Sequence, residues 1–122
     1  LTTQKRLNEV EELVEKTKKE GAKVLLGGKR PQGFNKGYFY EPTIFDNVQD
    51  NYKIMTEEPF GPLTPLLSFK NFDEVIERAN NQVAGLAGYV CTKSIELANK
   101  TSEALETGMV AVNTPFISKF CS

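Results

Sequence analysis

At 122 residues the chain has room for one ordinary domain at most, and 39% hydrophobic content with 10% aromatics can build a core. The net charge of −1 excludes a strong electrostatic case for nucleic acid, and no apolar run reaches the length of a membrane span. There is no histidine, which removes the commonest general base and metal ligand, and the two cysteines are too few for a disulfide scaffold or a zinc site.

The first stretch, residues 1–20, is charged and has no apolar signal region, and with only two cysteines in the chain a reduced cytoplasmic setting is the expectation. It also lacks an initiator Met, which points to a processed or cut chain. Residues 5–20 read as an amphipathic helix. Leu7, Val10, Leu13, Val14 and Thr17 recur at helical spacing, charges fill the other face, and Gly21 is a natural stop. Residues 22–26 form a short apolar strand ended by Gly27-Gly28. The Gly-Gly-Lys there lacks the spaced glycine and following Ser/Thr of a phosphate loop. A polar loop follows over 29–37. Strand formers crowd residues 38–48, but Pro42 divides them into two short strands or one broken edge strand. Residues 50–55 can make one helical turn.

The stretch Thr56-Glu57-Glu58-Pro59-Phe60-Gly61-Pro62 is neither a good helix nor a good central strand. Pro59 and Pro62 remove backbone donors and bias the preceding residues toward extended geometry, while Gly61 allows close approach or an unusual backbone angle. On an extended backbone Glu57 and Glu58 point to opposite sides, so they are not expected to face one ligand together. A carboxylate on a stiff segment with an aromatic two residues on suits a polyol such as a ribose: the carboxylate accepts from two hydroxyls and the ring packs on a flat group. The plainer alternative is a solvated acidic turn before a strand.

From residue 64 the pattern is regular. A strand over 64–69 is followed by a helix with Asn71 as N-cap, Glu74 completing a capping box, and Phe72, Val75, Ile76 and Ala79 as its stripe. A second strand, 86–91, should bury Cys91 as a small hydrophobe. A second helix, 94–106, has Ile95, Ala98 and Leu105 on its apolar side and Gly108 closing it. The last strand, 109–112, is wholly apolar and is expected to be buried on both faces. This alternation predicts an α/β fold: a parallel sheet in a three-layer arrangement with right-handed crossover helices. Ligands bind at the carboxyl ends of such strands, where residues 113–118 lie.

Five pieces together carry a family resemblance: Gly21-Ala22 with Gly27-Gly28, residues 37–43 (Gly-Tyr-Phe-Tyr-Glu-Pro-Thr), residues 57–62, residues 85–89 (Gly-Leu-Ala-Gly-Tyr), and residues 108–113 (Gly-Met-Val-Ala-Val-Asn). In this order and spacing the chain resembles the carboxyl-terminal part of the NAD(P)-dependent aldehyde dehydrogenase superfamily, over about residues 1 to 118. The resemblance implies that 1–122 is a partial catalytic domain with the dinucleotide-binding domain absent. In that family a cysteine attacks the aldehyde, hydride passes to the nicotinamide, and water releases the acid. It also implies that Glu58 holds the nicotinamide ribose and Phe60 packs near the nicotinamide, with Glu57 left as a solvated residue. NAD or NADP would serve the full-length parent, and neither is expected to bind tightly here.

Residues 108–118 look most like succinate-semialdehyde dehydrogenases. The resemblance makes Ser118 a candidate to hydrogen-bond the far carboxylate of the substrate and Phe116 a pocket wall, although Pro115 stands where glycine is frequent. The family's nucleophile and general base match no residue here, so no catalytic residue is assigned and Cys91 and Cys121 are excluded from that role. Cys121 lies in a tail where the usual Pro-Phe-Gly-Gly continuation is absent. Two expectations follow. One is an enzyme fragment, inactive alone, whose parent oxidises an aldehyde, with the loop resemblance pointing to succinate semialdehyde. The other is a self-associating structural or binding module, since a cut domain exposes apolar surface. No nucleic acid, membrane or metal partner is expected.

Overall fold

A computed structural model describes residues 1–34, 36–82 and 85–116. The chain forms two compact units, Leu1–Ser68 and Phe69–Ser122. The candidate Ser118, and Cys121, lie outside the described residues.

In the first unit the sequence pattern of the amino-terminal segment becomes helix α1, Gln4–Glu20. Thr3 caps it, its Oγ1 accepting from the Arg6 N–H at 3.1 Å. Gly21, at φ 114°, ends it in the left-handed region, its N–H donating to the carbonyls of Lys18 and Thr17. Leu7, Val10, Val14 and Thr17 are buried along one stripe, and the first three share a core with Phe45, Tyr52 and Ile54. Strand β1 is Lys23–Leu26, β2 is Thr43–Asp46, a short helix α2 spans Lys53–Thr56, and β3 is Leu63–Pro65. β1 pairs with β2 antiparallel, with a register shift between Val24 and Leu26, and β2 pairs with β3 parallel.

The strand formers of residues 38–48 yield one strand only, and it begins just after Pro42. Period-two alternation appears within it: Thr43 and Phe45 are fully buried. Two of the sequence motifs are one structural unit here. The Thr43 hydroxyl accepts from the Gly28 N–H at 2.8 Å and donates to the Glu41 carbonyl at 2.8 Å. Gly27 has φ 71°, and a Cβ there would collide with the Pro42 carbonyl oxygen and stand 2.8 Å from Thr43 Oγ1. Glycine is required at 27 because residues 42–43 occupy the space of a side chain.

In the second unit helix α3 is Phe72–Asn80, β4 is Ala87–Val90, α4 is Ile95–Ala104 and β5 is Met109–Val112. Asn71 Oδ1 accepts from the Glu74 N–H at 2.9 Å, as the capping box requires, but Glu74 reaches back to the N–H of Lys70, one residue before the cap. β4 and β5 pair in parallel from Ala87–Met109 to Val90–Val112, with α4 as the crossover. The Asn80 side chain donates to the Ala104 carbonyl and accepts from the Glu106 N–H, both at 2.9 Å, tying the end of α3 to the exit of α4.

The α/β class with parallel strands and crossover helices holds, and four details differ from expectation. β3 takes β2 as its partner rather than β4, and it is only three residues long, ending at a proline that has no N–H for the ladder. Cys91 is exposed and lies just past the end of β4 at Val90. β5 is not buried on both faces: Ala111 is buried but Val112 is 37% exposed, and Ile95 on α4 is 80% exposed. Two strands and one crossover helix do not supply enough apolar cover. Finally, Gly108 does not cap α4, which ends at Ala104 with Leu105 as its C-cap. It instead starts the β5 ladder, donating to the Gly85 carbonyl at 3.0 Å, and a Cβ there would lie 3.1 Å from the Leu86 carbonyl oxygen.

Candidate functional site

The acidic-proline segment leaves α2 at Glu57, whose backbone is extended at φ −121° and ψ 143°. The chain then turns rather than running straight. The Phe60 N–H donates to the Glu58 carbonyl at 3.2 Å, and the Leu63 N–H donates to the Gly61 carbonyl at 2.9 Å. These are three-residue turns centred on Pro59 and Pro62, whose rings fix the φ that an inverse γ-turn needs. Gly61 has no unusual φ; its service is close approach, since a Cβ there would meet Val10 Cγ2 at 2.6 Å. The segment is thereby pressed onto the buried face of α1.

Both Glu57 and Glu58 line one cleft of about 430 Å³, together with Arg6, Lys16, Lys53 and Phe60. The two carboxylates are nevertheless distinct. Glu57 pairs with Lys53 at 3.3 Å across one helical turn. The other cations of the wall are also engaged, Arg6 with Glu9 at 2.8 Å and Lys16 with Glu20 at 4.0 Å. Among the described residues the Glu58 carboxylate has no hydrogen bond or ion pair, and it is exposed.

Phe60 is 60% exposed. The Arg6 guanidinium stands 5.3 Å from its ring centroid, within cation–π range. Phe60 also forms part of a second cleft of about 690 Å³, with Phe39, Tyr40, Pro59 and Pro62. Arg6 escaped the sequence reading. Its signal was its place four residues before Val10, on the helical row that meets the segment.

A tight electrostatic feature lies elsewhere on α1. Arg30 clamps Glu11 with two hydrogen bonds, from Nε and from Nη2, and this holds the Glu11 carboxyl below its ordinary range. The Tyr40 phenol is pushed up to about 12, first by burial and then by the nearby charges of Glu11 and Glu15.

In the second unit Phe116 is 55% exposed, and its N–H donates to Thr114 Oγ1 at 3.3 Å. Asn113, at φ 56°, turns the chain out of β5 toward it. Glu58 and Phe60 are thus brought together on one cleft of the first unit, while Phe116 belongs to the second unit. No cluster of metal-ligating side chains occurs among the described residues, and no described helix is long and apolar enough to cross a membrane.

Comparison with known proteins bears on these positions. The model of the aldehyde dehydrogenase family matches residues 1–121, slightly past the resemblance read from the motifs. Cytosolic aldehyde dehydrogenase 1 of Macroscelides proboscideus is 52% identical over 106 residues, covering 87% of this chain and 21% of that protein. Retinaldehyde dehydrogenase 3 of Rattus norvegicus is 47% identical over 110 residues, 90% of this chain and 21% of that protein. The NAD+ complex of a Bacillus cereus aldehyde dehydrogenase superposes with a TM-score of 0.87 at 42% identity, covering 93% of this chain and 23% of that one. The chain therefore spans about a fifth of the length of the curated relatives it matches. By sequence and by fold, the chain belongs to the aldehyde dehydrogenase family.

Proposed function

We propose that this chain supplies the nicotinamide-ribose contact of an oxidoreductase that converts an aldehyde to its carboxylic acid with NAD or NADP. The observation that carries this reading is the contrast within the glutamate pair. Glu57 is engaged by Lys53, whereas Glu58 is unpaired among the described residues and shares its cleft with an exposed aromatic ring. The residues fit the group. An ionised carboxylate is acceptor-only and matches two adjacent hydroxyls, and the Phe60 ring offers a flat apolar surface. When bound, the nicotinamide supplies the hydride acceptor. Glu58 binds and orients the ribose, Phe60 packs against the adjoining ring, and the turns on Pro59 and Pro62 fix both on α1.

In this reading the attacking cysteine, the general base and the dinucleotide-binding domain belong to the part of the family's length outside the matched region. Neither Cys91 nor Cys121 replaces the nucleophile. The 122-residue chain alone neither turns over nor holds a dinucleotide tightly, and the choice between NAD and NADP is made in the dinucleotide-binding domain. The cysteine usage and the relatives named as cytosolic support a cytoplasmic setting.

For the aldehyde, the finer reading is succinate semialdehyde. It rests on the loop Asn113-Thr114-Pro115-Phe116-Ile117-Ser118, with Phe116 as a wall of the pocket and Ser118 as the hydrogen-bond donor to the distal carboxylate. The test is aldehyde-dependent reduction of the dinucleotide by the enzyme carrying this segment, over a panel with and without a distal carboxylate. Preference for the carboxylated aldehyde, lost in Ser118→Ala, supports the substrate reading. Equal rates across the panel overturn that substrate and leave the class of reaction standing. Cysteine-dependent oxidation by the 122-residue chain alone overturns the division of labour.

A second reading, a self-associating module, is favoured by the exposure of Leu86, Tyr89 and Val112 on and beside the two-stranded sheet. Light scattering at high concentration tests it: oligomers are expected, and a clean monomer counts against it.

A further inference from the structure

The contact between Arg6 and Phe60 is used by nothing described so far. The guanidinium stands 5.3 Å from the ring centroid, and its Nη1 is held by Glu9 Oε2 at 2.8 Å. The base of the Arg6 side chain is fixed as well, because its N–H is taken by the Thr3 cap at 3.1 Å on the first turn of α1. Directly after Phe60, Gly61 packs on Val10, the residue one turn beyond Arg6 on the same row of the helix. Phe60 is therefore constrained at two points: the next residue, Gly61, rests on Val10, and the ring face meets Arg6. A phenylalanine that is 60% exposed would otherwise have little to select one ring orientation.

We propose that Arg6 is a positioning residue, which holds the Phe60 ring by a cation–π contact so that it is already set for a flat ring of the ligand. This rests on the reading of Glu58 and Phe60 as dinucleotide contacts. Pre-setting an aromatic surface strengthens binding by removing an ordering cost from the binding step. Arg6 acts here through Phe60, and Glu9 acts through Arg6 by keeping the guanidinium over the ring.

Two measurements test this. In the 122-residue chain, NMR should show Arg6 side-chain protons displaced upfield by the ring current, and Phe60→Leu should abolish the displacement. An undisplaced Arg6 overturns the proposal. In the enzyme carrying this segment, dinucleotide binding is measured for Arg6→Met, Arg6→Lys, Phe60→Leu, Glu58→Ala and the double variant Arg6→Met with Phe60→Leu. Arg6→Met should weaken binding about two- to fivefold, the scale of an exposed cation–π contact, with Arg6→Lys recovering part of the loss. In the Phe60→Leu background, Arg6→Met should have no further effect. A loss that persists in that background means Arg6 acts on the ligand directly, and the positioning role fails. If Glu58→Ala weakens binding and Arg6→Met does not, the positioning role fails while the cofactor reading stands. If neither changes it, both fail.

Discussion

The side-chain amide of Asn113 satisfies both backbone polar groups of Thr92. Its Oδ1 accepts from the Thr92 N–H at 2.9 Å, and its Nδ2 donates to the Thr92 carbonyl at 2.8 Å. Its own N–H donates to the Val90 carbonyl at 2.8 Å, so the ladder of β4 and β5 is finished by a side chain where the backbone turns away. Asn113 sits at φ 56°, a conformation that asparagine tolerates better than most residues. The loop carrying Phe116 leaves from this clamp.

Replacing Asn113 by Ala should therefore destabilise the second unit by about 1–2 kcal/mol, from two lost hydrogen bonds and a strained φ. Asn113→Gly should lose the hydrogen bonds yet relieve the backbone, and so fall closer to wild type. Urea unfolding of the two variants checks the order. Equal loss in both would mean that the backbone angle contributes nothing.

Gly27→Ala should be more damaging than a usual glycine substitution, because a Cβ at Gly27 collides with the Pro42 carbonyl. A loss of roughly 2 kcal/mol or more is expected, the scale of overpacking added to a disfavoured φ. Thr43→Val, at a fully buried site, removes the acceptor for the Gly28 N–H and should cost about 1–3 kcal/mol. Thermal denaturation reads both, and a stable Gly27→Ala chain would contradict the packing described.

How far these features could be read from the sequence depended on how local they are. The α1 stripe of Leu7, Val10, Val14 and Thr17, its stop at Gly21 and the Asn71 cap follow from side chains and neighbours within one or two turns, and they were legible. The partner of β3 was not, because strand pairing is decided by long-range contact and not by the alternation of elements. Cys91 looked buried because an apolar run does not show where its ladder stops. Glu58 and Phe60 were legible as a constellation. The turns on Pro59 and Pro62 were not, because they depend on hydrogen bonds that period-two reasoning ignores. Arg6 was invisible without the packing of Gly61 on Val10.

The alkaline limb of the stability profile should belong to Tyr40. Its folded-state phenol titrates at about 12, above the ordinary value of 10.0. The unfolded chain releases this proton first, so the contribution is intact below pH 10 and is lost as pH rises from 10 to 12. Tyr40→Phe should flatten that decline in denaturant unfolding measured across the range. At the acid end the sign reverses. The Glu11 carboxyl is held low by Arg30, so its contribution is present at neutral pH and lost as pH falls through its depressed value. The pair is partly exposed, so Glu11→Gln should change stability only slightly. A profile unchanged by Tyr40→Phe would contradict the burial of the phenol.

Cys91 should react with a thiol reagent in the folded chain, without denaturant, assayed in a Cys121→Ser background. Cys91→Ser should leave stability within about 0.5 kcal/mol, as for surface substitutions away from special features. Modification only on denaturation would return Cys91 to the buried position that the strand pattern suggested.

In the proposed function Glu58, and not Glu57, holds the ribose. The most direct test is calorimetric titration of the dinucleotide into the enzyme carrying this segment, comparing Glu58→Ala with Glu57→Ala. Two charge-assisted hydrogen bonds lost at Glu58 should weaken binding by about tenfold or more, while Glu57→Ala, which breaks only the Lys53 pair, should stay within about twofold. Equal losses, or a loss confined to Glu57→Ala, would contradict the account.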